Sequence, residues 1–181
     1  MAVLLLSLVY ACSGGRAISE YRAVLTNDFA KSKSTDLKVK IPAGWFTALD
    51  NEKNVIDLWL IKDDHSKMLN FTLINLDETA IKESKGYPLI AAVKYSKSFK
   101  KISAKEGFEI DGDDEYFEIG ANTFGSYKYK NKSGEIARVA VFKYKDKIYE
   151  LTAIPTVKTD KKLPPSEDLF FIQDAVLSSI E

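Results

Sequence analysis

Apolar and polar positions alternate along much of the chain with the period of two that turns one strand face to a core and the other to water. Leu37-Lys38-Val39-Lys40-Ile41 is such a segment. Pro42-Ala43-Gly44 breaks it, and Trp45-Phe46 starts the next piece. Val55 to Ile61 is a nearly continuous apolar run, which predicts a strand covered on both faces. Met68 to Leu76 sets Leu69, Phe71 and Leu73 against Asn70, Thr72 and Asn75. The turn-forming Asp63-Asp64-His65-Ser66 makes a hairpin of these two strands. A second block predicts a short strand at Tyr116 to Ile119, then strands at Thr123 to Lys130, Ile136 to Tyr144 and Lys147 to Ile154. Asn131-Lys132-Ser133-Gly134 and Lys145-Asp146 are their turns, and Pro155, which cannot donate to a ladder, ends the last one.

Two stretches change period. Residues 87–104 read as a helix opened by Pro88, with Leu89, Ala92, Val93, Ser96, Phe99 and Ile102 as its apolar face. Lysines at 94, 97, 100, 101 and 105 crowd its C-terminal half, where cations suit the helix dipole. Pro164-Pro165-Ser166 opens a closing helix, with Ser166 as cap, acids at Glu167 and Asp168, and a buried stripe of Leu169, Ile172, Val176 and Ile180. Arg16 to Asp36 is mixed; Tyr21, Val24 and Phe29 allow a helix or a first strand there. Strands in two blocks, each followed by a helix, predict an α+β domain with a mainly antiparallel sheet over residues 21–181.

The composition agrees with one core. The chain has 181 residues, 45% of them hydrophobic, and 26 basic against 26 acidic side chains, so no net charge attracts nucleic acid in bulk. One cysteine excludes a disulfide scaffold. Charge is nevertheless segregated. Residues 94–105 hold five lysines and no acid, residues 106–118 seven acids and no base, and residues 127–147 seven bases interleaved with Tyr127, Tyr129 and Tyr144. Three readings of these runs stay open: a solvated surface with packed tyrosines, a contact with a protein or an anionic lipid, and a nucleic-acid face.

Ala2 to Ala11 (AVLLLSLVYA) has no charge, Pro or Gly. As a helix it spans roughly 15 Å, about half a hydrocarbon core, so it suits a signal-peptide h-region better than a transmembrane span. No Lys or Arg precedes it, a departure from the usual leader. Val9, Ala11 and Cys12 lie in Leu8-Val9-Tyr10-Ala11-Cys12-Ser13-Gly14-Gly15, which resembles the lipobox of bacterial lipoproteins. The resemblance implies a signal peptide over residues 1–11, cleavage before Cys12, a diacylglycerol on the Cys12 sulfur, and a tether over residues 12–20. It thus implies a membrane anchor and a place in the bacterial cell envelope, facing the periplasm or the exterior. Two other readings remain: ordinary signal-peptidase cleavage that releases a soluble protein, and a buried first strand.

Three further stretches carry a second likeness. Ile41-Pro42-Ala43-Gly44-Trp45, the pair Arg138-Val139-Ala140-Val141-Phe142 with Lys147-Ile148-Tyr149-Glu150-Leu151-Thr152-Ala153, and Phe170 to Ile180 resemble the early signature, late hairpin and closing helix of the Mog1/PsbP-like superfamily. The resemblance covers residues 36–181 and implies an α/β/α sandwich around an antiparallel sheet. It also implies a small accessory protein that binds larger assemblies without catalysis.

Catalytic motifs are sparse. Neither a Walker loop, nor G-x-S-x-G, nor G-x-G-x-x-G occurs, and Gly125-Ser126 lacks the elbow spacing. The single histidine, His65, lies in a polar turn, where an exposed residue, a metal ligand and half of a Ser-His dyad are the readings. Asp111-Gly112-Asp113-Asp114-Glu115 offers hard oxygens but lacks the EF-hand register, so it reads as a solvated turn before a calcium loop. The expectation is therefore a non-enzymatic, lipid-anchored envelope protein with a protein-binding domain and with no cofactor, metal or nucleic acid. A carrier of a small apolar ligand held between helix and sheet stands second, and a hydrolase with an unseen site third.

Overall fold

The computed structural model describes residues 24–48, 55–104, 107–156 and 166–181. Cys12, the leader, the tether and Pro164-Pro165 lie outside the described residues. A ribbon of β1 (Leu25–Lys31) and β2 (Lys38–Pro42) precedes β3 (Trp45–Thr47), β4 (Leu58–Lys62) and β5 (Lys67–Ile74). Two helices follow, α1 (Glu78–Glu83) and α2 (Pro88–Ala104). Then come β6 (Glu109–Ile110), β7 (Glu115–Ile119), β8 (Asn122–Lys130), β9 (Ile136–Tyr144), β10 (Lys147–Pro155) and α3 (Ser166–Ser178). The main sheet runs β3-β4-β5-β10-β9-β8-β6, with β7 also on β8, and its pairs are antiparallel.

The side-chain alternation of the central strands supplies two separate cores. Ala140 and Phe142 of β9, Tyr149, Leu151 and Ala153 of β10, and Leu69 and Phe71 of β5 pack with Leu169, Val176 and Leu177 of α3. Val139 and Val141, which alternate with Ala140 and Phe142, pack with Ile74, Tyr127 and with Ala92 and Val93 of α2 on the other face. Helices thus cover both faces of an antiparallel sheet, as an α/β/α layering requires. The β1–β2 ribbon shares the α3 side through Ala30, Leu37 and Val39. Lys38 and the terminal Glu181 exchange backbone hydrogen bonds of 3.1 and 3.0 Å, which fasten the ribbon to the end of the closing helix.

Several elements depart from the sequence pattern. The mixed N-terminal segment provides β1, a strand, and the apolar run at 55–61 enters the sheet only at Leu58. The helix α1 and the two-residue β6 are not visible in periodicity because both are too short to display it. Asp77 caps α1, its side chain accepting from the Ala80 N–H at 2.7 Å. Ser166 is the first residue of α3 rather than its cap.

The α2 face is rotated from the expected one. The buried residues are Ala91, Ala92, Val93 and Ser96, whereas Phe99 is 54% and Ile102 76% exposed. Each step of three residues falls about 60° behind a full turn, so the series 96, 99, 102 walks off the sheet side while position 100 returns to it. In α3, the buried set is Leu169, Gln173, Val176 and Leu177. Ile172 and Ile180 are only partly buried.

Close approach of α2 to the sheet depends on Gly125 of β8. A Cβ there would lie 2.7 Å from Val93 Cγ2 and 3.0 Å from Tyr116 Cε1. Gly125→Ala is expected to cost about 1–3 kcal/mol through overpacking. Equilibrium urea denaturation measures it, and Val93→Ala in the same chain restores part of the loss.

Candidate functional site

Arg138 of β9 and Glu150 of β10 are charged side chains buried in the middle of the sheet, and each is answered by a helix. Arg138 of β9 points to α3, where its Nε donates to Gln173 Oε1 at 2.5 Å and its Nη2 to the Phe170 carbonyl at 2.9 Å. Asp174 completes an ion pair with the same guanidinium. Gln173 returns its amide to the carbonyl of Leu151 at 2.7 Å, so one helix side chain bridges β9 and β10. This cluster is packed under α3, with only Asp174 reaching solvent.

The second cluster borders open space. Glu150 of β10 is 5% exposed and faces α2. Lys100 Nζ donates to its Oε1 at 2.6 Å and Ser96 Oγ to its Oε2 at 2.5 Å. The Ser96 proton is thereby used, so the Tyr127 hydroxyl donates to Ser96 Oγ across 2.7 Å. Burial is the main cause that raises the pKa of Tyr127 above the ordinary phenol value, and the Glu150 charge adds to it. Tyr129, also covered by this side of the sheet, is pushed up to about 12, again first by burial and then by Glu150.

Beside this chain of hydrogen bonds lies a cleft of about 330 Å³ between α2 and the β5–β10 pair. Thr72, Ile74, Asp57, Glu150, Tyr95 and Phe99 are among its lining residues. Tyr95 and Phe99 stack one turn apart, with ring centroids separated by 6.5 Å and planes 10° apart. Tyr95 is 45% exposed, and with Phe99 and Ile102 it forms an apolar stripe along the side of α2 that meets solvent. A second cleft, of about 500 Å³, lies at the start of α2 between Pro88, Asn122, Lys143 and Lys145. Its Lys145 is already paired with Asp36 of the ribbon turn.

The sequence-predicted candidates are scattered. Cys12 lies outside the described residues. His65 is exposed at the β4–β5 turn with φ of 59°, its ring edge on Phe46 at 5.7 Å. Asp64 beside it is held below the usual carboxylate range, first by its bond with Lys62 and then by Ser66. The acid run is brought onto the basic ones: Asp114 pairs with Lys97, Asp111 with Lys130 at 3.1 Å, and Glu115 with Lys128 at 3.6 Å. In β8, Tyr127 and Tyr129 turn to the α2 core while Lys128 and Lys130 make these exposed pairs. Among the described residues no group of three His, Cys, Asp or Glu side chains is placed to hold a metal ion, and no helix is long and apolar enough to cross a membrane. The Glu150 network and the cleft escaped the sequence reading because their parts come from strands and a helix far apart in the chain. The one legible signal was a Glu inside an apolar strand segment, Tyr149-Glu150-Leu151.

No family model matches the chain, and no curated protein matches it. Among solved structures, it is similar to cyanobacterial PsbP (CyanoP) from Synechocystis sp. PCC 6803, with a TM-score of 0.60 at 9% identity, over 90% of this chain and 95% of that one. A protein from Bacteroides thetaiotaomicron aligns over 80% of this chain and 44% of its own, also at 9% identity, but its TM-score of 0.37 carries no weight. The first likeness shows a PsbP-like fold.

Two outcomes follow from the buried network. Lys100→Met strands the Glu150 carboxylate and is expected to destabilise the protein by roughly 2–4 kcal/mol at neutral pH, a little under the usual cost for a fully buried pair because the lysine reaches solvent. Thermal denaturation of this variant beside Lys101→Met, which removes an exposed lysine, provides the comparison. In alkali, folded-state phenol pKa values raised above the unfolded value of 10.0 mean that stability is full below pH 10 and declines as pH rises past it. Absorbance at the phenolate band is expected to show Tyr129 ionising near pH 12 and Tyr127 only as the protein unfolds.

Proposed function

We propose that this PsbP-like domain is a non-enzymatic, lipid-anchored module of the bacterial cell envelope that presents the exposed flank of α2 to a protein partner. The observation that carries the reading is the stripe of Tyr95, Phe99 and Ile102, exposed by 45%, 54% and 76% along the flank of a helix whose adjoining face is packed on the sheet. Adjacent apolar side chains held in water on a rigid helix mark interaction surfaces more than isolated ones do. The fold likeness to cyanobacterial PsbP supports the accessory-protein reading, and the leader ending at Cys12 supports the anchor. Two or more acyl chains on Cys12 hold a protein stably, at about 0.8 kcal/mol per buried methylene. The tether then keeps the domain near the membrane and raises its effective concentration for neighbours there. The reading includes neither nucleic acid nor a cofactor. A second reading, a carrier of a small apolar ligand, is favoured by the cleft of about 330 Å³ between helix and sheet.

Metabolic labelling with a fatty-acid probe tests the anchor: the wild-type protein is expected to take up label and Cys12→Ala to lose it. Equal labelling of the two refutes lipidation. A photo-crosslinker placed at Phe99 tests the surface in the same cells. It is expected to trap a discrete neighbour, and that adduct is expected to fade in Tyr95→Ser/Ile102→Ser; an adduct indifferent to those changes removes the α2 face from the proposal.

A further inference from the structure

The cleft under α2 is lined by Asp57, a carboxylate that stands beside the Tyr149 hydroxyl and keeps one oxygen without a close hydrogen bond. Asp57 is 5% exposed and lines the cleft. Its Oδ1 accepts from the Ser34 N–H at 3.0 Å, while Oδ2 is buried without a hydrogen-bond partner. A buried carboxylate oxygen left unpaired is costly, and native structures seldom keep one without a reason. Glu150, the other carboxylate of the cleft, is satisfied by Lys100 and Ser96, whereas Asp57 has no ion pair among the described residues. Next to it stand the stacked rings of Tyr95 and Phe99, half in solvent.

A ligand matched to this lining has two properties at once: donors in a plane for a carboxylate, and a flat, weakly hydrated cationic face for aromatic rings. Guanidinium has both, and ammonium only the charge. We propose that the cleft between α2 and the β5–β10 pair binds a guanidinium group on an alkyl stem, with Asp57 as its acceptor and Tyr95 and Phe99 as its stacking wall. Thr72 and Ser34 border the same space with further polar atoms. A volume of about 330 Å³ is at the small end for ligand sites, which suits one such group and its stem. The group arrives either on a free alkylguanidine or as an arginine side chain of a polypeptide. The proposal stands apart from lipidation.

Calorimetric titration of the full-length protein in detergent at low salt, with amide shifts recorded for Ser34, Thr72 and Ser96, tests it. The probes are agmatine, the peptide acetyl-Gly-Arg-Gly-amide, and 1,4-diaminobutane as the ammonium counterpart. Saturable binding of a guanidinium probe that moves these amides is expected, about tenfold or more weaker for 1,4-diaminobutane and in Asp57→Asn. Agmatine bound more tightly than the peptide identifies a free small molecule; the reverse order identifies an arginine side chain. Phe99→Ala, at an exposed position, is expected to weaken binding severalfold without moving the melting temperature. Absence of saturation by both guanidinium probes, equal affinity for 1,4-diaminobutane, or undiminished affinity in a folded Asp57→Asn overturns the proposal. If Asp57→Asn does not fold, undiminished binding by Phe99→Ala overturns it instead.

Discussion

A strand covered on both faces cannot carry a charged side chain unless a neighbouring element supplies the partner. Strands β9 and β10 each carry one, Arg138 toward α3 and Glu150 toward α2. The partners, Gln173 with Asp174 and Ser96 with Lys100, sit on single helical turns, so satisfying the charge also sets the height and rotation of each helix. Apolar packing alone tolerates sliding of a helix over a sheet; a buried ion that must be met does not. The layering of the domain follows from these two anchors, which lie on neighbouring strands and point in opposite directions.

The two sides are built unequally. On the α3 side, the large residues Phe71, Phe124, Phe142 and Tyr149 form a continuous aromatic core, closed at its rim by the β1–β2 ribbon. On the α2 side the cluster is small, centred on Val93, Val139 and Val141, and Gly125 lets the helix approach there. Toward β5 the helix does not close on the sheet, and the cleft remains. The surface we propose as functional is on this thinner side, where the aromatic stripe of α2, the Glu150 chain and Asp57 line or border one cleft. Charge follows the same logic: runs of acids and lysines that look like separate patches along the chain neutralise one another as Lys97–Asp114 and Lys130–Asp111 once β6–β8 folds beside α2.

Much of this was readable in one dimension. The period of two located β2, β5, β8, β9 and β10 within a residue or two, and the change to helical period located α2 and α3, because burial of one face imposes the repeat directly on the sequence. The antiparallel α+β class followed from the order of those elements. The leader ending at Cys12 is an expectation from local order alone and lies outside the described residues. What only the tertiary structure decided is which side of each helix meets the sheet, and what polar groups wait there. Phe99 and Ile102 share a spacing with Ser96 but not its direction, and Gln173 sits within an apolar stripe because Arg138 lies opposite. The cleft joins Asp57, Thr72, Ser96 and Glu150, residues separated by tens of positions. Periodicity reports that a face is buried; it carries no information on the distant residue against which that face is packed, and a binding site is made of such pairings.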